Sequence, residues 1–266
     1  MTMSKLDISD LPKAAADDLE GRFREVLSDP SNNYIPRCES AGTLQDGHII
    51  MHNGIKVITD YYGDFSKILL SNKGVHEPQE ERMFMEVLKF IQPGATMIEL
   101  GAYWAFYSMW FQQQIPNAKN FMIEPNVDNL RCGINNFKLN NMTGLFFHGG
   151  IGVGGIDFYK FLFYNKINYI DVLHMDIQGA EFYFLNTFTE IFTMKKVGYV
   201  FISTHNQDLH IKCLQFLKDV NYMILASADF DNETFCYDGV LVARDSRLQG
   251  LSQIQLNVRK KYPNKK

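Results

Sequence analysis

MIELGAYWAFYS, Met97 to Ser108, is the stretch on which the fold turns. An apolar run broken by one acid leads into a glycine, and an aromatic, helix-compatible segment follows. That order reads as a buried strand, a tight turn and the start of a helix. A glycine at 101 lets the backbone take φ > 0 or approach a ligand without a Cβ clash. In a dinucleotide fingerprint, second and third glycines make room for a pyrophosphate and for close helix packing. Tyr103 and Phe106 stand in those places. Taken alone, the stretch is equally a ligand-binding turn or an ordinary strand–helix junction.

Outward from this stretch the chain alternates. Strands are predicted in NFMIEP (Asn120–Pro125), LFFHGGIGV (Leu145–Val153), INYIDVLHMDI (Ile167–Ile177) and VGYVFIST (Val197–Thr204). Between and after them, helices are predicted in AFYSMWFQQQI, NVDNLRCGINNFKLN, AEFYFLNTFTEIF and NQDLHIKCLQFLKDV. Strands alternating with helices mean a parallel sheet covered on both faces. YMILASADF and FCYDGVLVAR, the last two strands, have no helix between them and are expected to pair as a hairpin at the sheet edge. Upstream, EPQEERMFMEVLKFI (Glu77–Ile91) carries Met83, Phe84, Val87, Leu88 and Ile91 at the spacing of one helix face. Before it, Asp46 to Gly74 holds short Ile/Val-rich runs punctuated by HNG and YGD, a β-hairpin signature. The expected architecture is therefore α/β: a doubly wound, mostly parallel, seven-stranded Rossmann-like sheet with a C-terminal antiparallel hairpin. Residues 1–75 form an arm and small β appendage, 76–250 the main domain, and 251–266 a tail.

Acids recur at the predicted strand ends. Glu124 closes the second strand before Pro125, at roughly the 20-residue distance from which such an acid accepts hydrogen bonds from ribose hydroxyls. Asp176 closes a later strand and is expected to face the same crevice, because open α/β sheets bind ligands at the carboxyl ends of their strands. Tyr103 and Phe106 disfavour a dinucleotide, whereas a phosphate-free nucleoside cofactor such as S-adenosylmethionine is compatible with them.

ELGAYWAFYS, FMIEPNVDNL and IDVLHMDIQGAE together resemble the FkbM-type methyltransferases, a branch of the class I S-adenosylmethionine-dependent fold. The resemblance covers roughly Glu77 to Arg244. It implies that Glu99, Gly101, Ala102 and Tyr103 line the methionine end of the cofactor, with Ser108 near its carboxylate. It further implies that Glu124 holds the ribose, Pro125 and Asn126 flank the adenine, Gly150 and Ile151 lie near its ring, and Asp176 faces the cofactor's amino end or the substrate. Five positions depart from the family pattern: Ala105 replaces a glycine, His174 a lysine and Gln178 a glutamate, while Tyr103 and Trp104 are bulky where the family is often small and are placed to stack on or wall off the cofactor. Alanine serves at 105 provided its φ is negative.

Methyl transfer to a hydroxyl benefits from a general base, and the candidates are His205, at the end of the fifth strand, and Asp176. His174 shares a strand face with Asp176. Tyr62, His76 and Glu77 are candidates for acceptor contacts from a covering appendage. The acids of DNETFCYDG (Asp231–Gly239) are placed to bind a polar acceptor or water. Mg²⁺ through Asp176, His205 and Asn206 is considered, but one carboxylate, one His and one amide make a poor hard-metal cage, and no metal is expected.

Composition bounds the partners. The net charge is −4, and the only basic cluster is the tail VRKKYPNKK, expected to be frayed and solvated. Nucleic acid is thus not expected as a partner, and no run reaches the length of a membrane span. Four scattered cysteines without a C-x-x-C pair and a polar N-terminus suit a reducing cytoplasm. The expected activity is O-methylation of a small-molecule or glycan hydroxyl. A nicotinamide-dependent oxidoreductase and a catalytically silent binding protein on the same fold are the alternatives.

Overall fold

The computed structural model describes residues 11–15, 18–59, 63–152 and 154–259. In chain order the elements are α1 (Leu19–Ser28), β1 (Leu44–Gln45), β2 (His48–Ile50), β3 (Lys56–Ile58), α2 (Ser66–Ser71), α3 (Pro78–Leu88), β4 (Thr96–Leu100), α4 (Phe106–Gln114), β5 (Lys119–Glu124), α5 (Val127–Leu139), β6 (Leu145–His148), α6 (Phe158–Tyr164), β7 (Ile170–Met175), α7 (Glu181–Thr187), α8 (Thr189–Thr193), β8 (Val197–Thr204), α9 (Gln207–Asp219), β9 (Tyr222–Ala228) and β10 (Gly239–Asp245).

The main sheet has seven strands in the order β6-β5-β4-β7-β8-β10-β9. Parallel pairing joins β6 through β8. β10 runs antiparallel to both β8 and β9, so the expected hairpin is present, with β9 at the edge and β10 inside. The chain leaves β4 toward β5 on one side and returns to β7 on the other, which puts the topological switch point beside β4.

Strand alternation sorts the core. Met97, Met122, Val172 and Phe201 face α3, α4, α5 and the appendage, whereas Ile98, Leu100, Leu173, Val200 and Ile202 face the helices α6 to α9. All eight residues of β8 are buried, as a strand covered on both faces requires. α3 begins with Pro78 at a position where a missing N–H costs nothing. Its predicted apolar face is present in Met83, Phe84, Val87 and Leu88, yet Glu80 and Glu81 are buried on it too.

The appendage shares the core of the main domain. Ile49, Met51, Ile55 and Val57 pack in one cluster with Trp104, Phe106 and Trp110. Asn136 of α5 and Asn140, its C-terminal cap, accept from the amides of Ile58 and Lys56, tying β3 to the domain. Of the VRKKYPNKK tail expected to be frayed, residues 260–266 lie outside the described residues, and Arg259 departs from the expectation. Arg259 is buried and pairs with Glu25 of α1, and Gln79 of α3 donates to the Asn257 carbonyl. A guanidinium with a buried carboxylate partner leaves solvent despite its basic neighbourhood. No helix among the described residues is long and apolar enough to cross a membrane.

Candidate functional site

The loop after β4 is wound in an unusual backbone. Gly101 has φ +75°, Tyr103 +48° and Ala105 +61°. The negative φ required of an alanine at 105 is therefore not realised; Ala105 stands left-handed where a glycine would be at ease, at a cost of about 1–2 kcal/mol. Such residues persist only where surroundings over-determine them, and they concentrate at binding sites. Here the Tyr103 amide donates to Glu124 Oε2 (2.9 Å), while Asn136 Nδ2 donates to the Trp104 carbonyl (3.1 Å). Gly101 has no alternative, since a Cβ there would lie 1.7 Å from the Asp176 carbonyl oxygen.

This loop opens onto a cavity of about 590 Å³ at the carboxyl ends of β4, β5 and β7. Of the residues expected in the site, Glu99, Gly101, Ala102, Tyr103, Glu124, Pro125, Gly150, Ile151, His174, Asp176, His76 and Glu77 line it. Ser108 does not; it is fully buried in α4, beside the Glu99 carboxyl. Asn126 caps α5, accepting from the amides of Asp128 and Asn129. Tyr62 lies outside the described residues.

Glu99 is 2% exposed, and its Oε2 has no hydrogen-bond partner. Burial pushes its carboxyl up to about 7, against the influence of His174 and Ser108. Glu124 accepts from the amides of Tyr103 and Asn126 and from Asn129 Nδ2. A carboxylate offers about four acceptor sites, so one stays available to a ligand.

His174 pairs with Glu99 in register across β4 and β7. Its Nε2 lies 2.7 Å from Glu80 Oε1, and Glu80 also accepts from the Ser203 hydroxyl. Burial opposes a charge on His174, but Glu80, Glu99 and Asp176 raise it to about 9. Beside it, His76 lies 2.6 Å from Glu81 and 3.3 Å from Glu77, inside a cage of Trp104, Phe106 and Tyr107. Tyr107 donates its hydroxyl to Glu77.

His205 follows β8 and lies among three carboxylates: Nε2 is 3.1 Å from Asp176 Oδ1 and 3.7 Å from Asp238 Oδ1, and Nδ1 is 3.0 Å from Glu181 Oε1. Burial works against its charge, yet these acids raise its pKa to about 11. As it stands the imidazole carries a proton at neutral pH and must lose it before acting as a base. Burial pushes Asp238 up to about 7, with His205 opposing and Asp176 and Glu77 reinforcing the rise.

Trp104, bulky where the family pattern is often small, walls the cavity as well; other wall residues had no sequence signal of their own: Arg22, Glu25 and Val26 from α1, Ile68 from α2, and Tyr107. Phe235 to Asp238 also line the cavity, and among the acids of the DNETFCYDG loop it is Asp238 that reaches it.

No family model matches the chain, and no curated protein matches it. Solved structures similar to it include a precorrin-6y C5,15-methyltransferase from Geobacter metallireducens, with TM-score 0.46 and 15% identity, covering 64% of this chain and 90% of that one. M. capricolum TrmK in complex with S-adenosyl-homocysteine has TM-score 0.43 and 15% identity, covering 63% and 71%. A putative rRNA methylase from Clostridium thermocellum has TM-score 0.47 and 11% identity, covering 62% and 93%.

Proposed function

We propose that this chain is an S-adenosylmethionine-dependent methyltransferase acting on a hydroxyl of a small molecule or glycan. The observation that carries the reading is the convergence of Glu99 and Glu124, at the ends of neighbouring strands, on one cavity around Gly101. The residues fit the cofactor. The buried, unpartnered Glu99 Oε2 suits an ammonium group, and the remaining acceptor site of Glu124 suits a ribose hydroxyl. The cavity's walls hold more acids (Glu25, Glu77, Glu99, Glu124, Asp176 and Asp238) than cationic groups (Arg22, His76 and His174), a balance that favours a cationic ligand over a pyrophosphate. Buried Trp104 and Phe106 also fill the loop where a pyrophosphate would need space, so a nicotinamide cofactor is disfavoured twice.

When bound, S-adenosylmethionine supplies an electrophilic methyl carbon, which the acceptor oxygen takes as the carbon–sulfur bond pair stays on sulfur. The protein then has to align and desolvate. Tyr107, Phe235 and Tyr237 wall the cavity beside Asp176 and Asp238, so an acceptor ring is held by apolar faces with its hydroxyl toward the two carboxylates. Asp176 takes the hydroxyl proton.

Calorimetric titration with S-adenosylhomocysteine tests the cofactor. The reading expects micromolar binding that Glu124→Ala abolishes, with NAD silent; binding of NAD instead overturns it. Radiolabelled methyl transfer across alcohols and glycans then tests the acceptor class. Cofactor binding without transfer to any acceptor favours the silent binding protein.

A further inference from the structure

We propose that Asp176 and Asp238, which line the cavity, and His205, which is not among its lining residues but lies against both, form a divalent-cation site that prefers a first-row ion such as Mn²⁺. The three residues come from the segments after β7, before β10 and after β8, and their ligand atoms all lie within 4.8 Å of one another. Ligands held about 2.0–2.2 Å from a common centre and at right angles stand about 3 Å apart. His205 Nε2 is 3.1 Å from Asp176 Oδ1 and 3.7 Å from Asp238 Oδ1, near that spacing.

Three further observations point to a ligand. First, both ring nitrogens of His205 and Asp238 Oδ1 are buried atoms that make no well-aligned hydrogen bond, despite their short separations. Second, the fully buried Glu181 stands at His205 Nδ1, and its Oε1 is anchored by the amides of Ile177 and Gly179. At 3.0 Å from Nδ1 this carboxylate stands where the outer support of a metal-bound histidine is usually found, with Nε2 toward the two aspartates. Third, His174, 3% exposed, lines the same cavity two residues before Asp176, and its Nδ1 has no partner.

Charge argues the same way. Asp176, Asp238 and Glu181 surround a single imidazole, and a dication compensates them better than one proton does. Two carboxylate oxygens with one imidazole nitrogen suit Mn²⁺ better than Mg²⁺ or Ca²⁺, which favour oxygen alone. Three protein ligands leave coordination positions toward the cavity. On the methyltransferase reading those positions take acceptor oxygens, and the ion lowers the pKa of a bound hydroxyl; the site itself does not depend on that reading.

The test titrates the purified full chain with Mn²⁺ alone, following loss of the free-ion electron paramagnetic resonance signal. The same samples are titrated with S-adenosylhomocysteine. About one ion is expected to bind per chain, at least about tenfold more weakly in Asp238→Asn and in His205→Gln, and about 10–100-fold more weakly in Glu181→Gln. Glu124→Ala should bind Mn²⁺ as the parent does. Circular dichroism melts identify any variant that fails to fold, and the remaining ones decide. Absence of Mn²⁺ binding to the folded parent, or binding unchanged in both ligand variants, overturns the site. Mn²⁺ binding without S-adenosylhomocysteine binding would keep the site and sink the cofactor reading.

Discussion

The amide of Tyr103 donates to Glu124 Oε2 at 2.9 Å, so the loop after the first core strand is pinned by the acid that ends the second. Tyr103 holds a left-handed φ there, and the carboxylate compensates an amide the turn would otherwise leave buried. Glu124 thus supports the loop as well as any ligand. Glu124→Gln should cost about 1–3 kcal/mol of stability and lower S-adenosylhomocysteine affinity at least about tenfold. Denaturant melts and calorimetry on the same protein separate the two losses.

Gly101 and Ala105 make opposite predictions. Gly101→Ala places a methyl against the Asp176 carbonyl at a positive φ and should cost more than about 3 kcal/mol, because neither backbone can yield. Ala105→Gly relieves about 1–2 kcal/mol of left-handed strain but surrenders about 0.8 kcal/mol of buried methyl, so its midpoint should move little and upward. Ala105→Val should destabilise strongly, since a β-branched residue rejects that conformation. Urea midpoints across the three variants check the ordering.

His76 and Glu81 predict a pH window. Burial opposes both charges, yet Glu77 and Glu81 hold His76 up at about 10, and His76 with His52 holds Glu81 down at about 2. The raised histidine contributes in full below its unfolded value of 6.5 and loses that contribution as pH climbs through about 10. The lowered carboxylate contributes in full above 4.5 and loses it as pH falls through about 2. The pair is therefore worth most between those two unfolded values. His76→Gln should cost about 3–5 kcal/mol near pH 5.5 and markedly less near pH 10, as read from denaturant unfolding at each pH.

Arg259→Ala removes the buried partner of Glu25. The loss should be about 2–3 kcal/mol, below the full penalty for a stranded charge, because burial already raises the Glu25 pKa and the acid can protonate. Glu25 lines the cavity, so ligand affinity should fall along with the melting temperature. Thermal melts and calorimetry of the variant check both.

Much of this was legible in the chain. Strand and helix periods gave the sheet, and acids at the strand ends marked Glu99, Glu124 and Asp176, because those signals are local. What escaped depends on distant partners. Glu80 and Glu81 look like solvated first-turn acids until His174, His76 and His52 are found beside them. Arg259 belongs to a basic run, and only the fold supplies Glu25. α6 has no local signal, because the aromatic run FYKFLFY lacks a clear polar face; Phe158, Phe161 and Leu162 are buried while Phe163 and Tyr164 are exposed. Ala105 keeps a glycine's φ without being one, and residue type alone does not announce that.

β10 is the last strand of the main sheet to be made, yet it lies inside, between β8 and β9. During synthesis β9 therefore emerges with no neighbour to pair with and has to wait for the strand that follows it. A nascent chain that has produced only β4 to β9 has a sheet missing an inner plank, and it lacks Asp238. Completion of the sheet and completion of this part of the cavity wall are then one event, so a chain halted before β10 would lack both together.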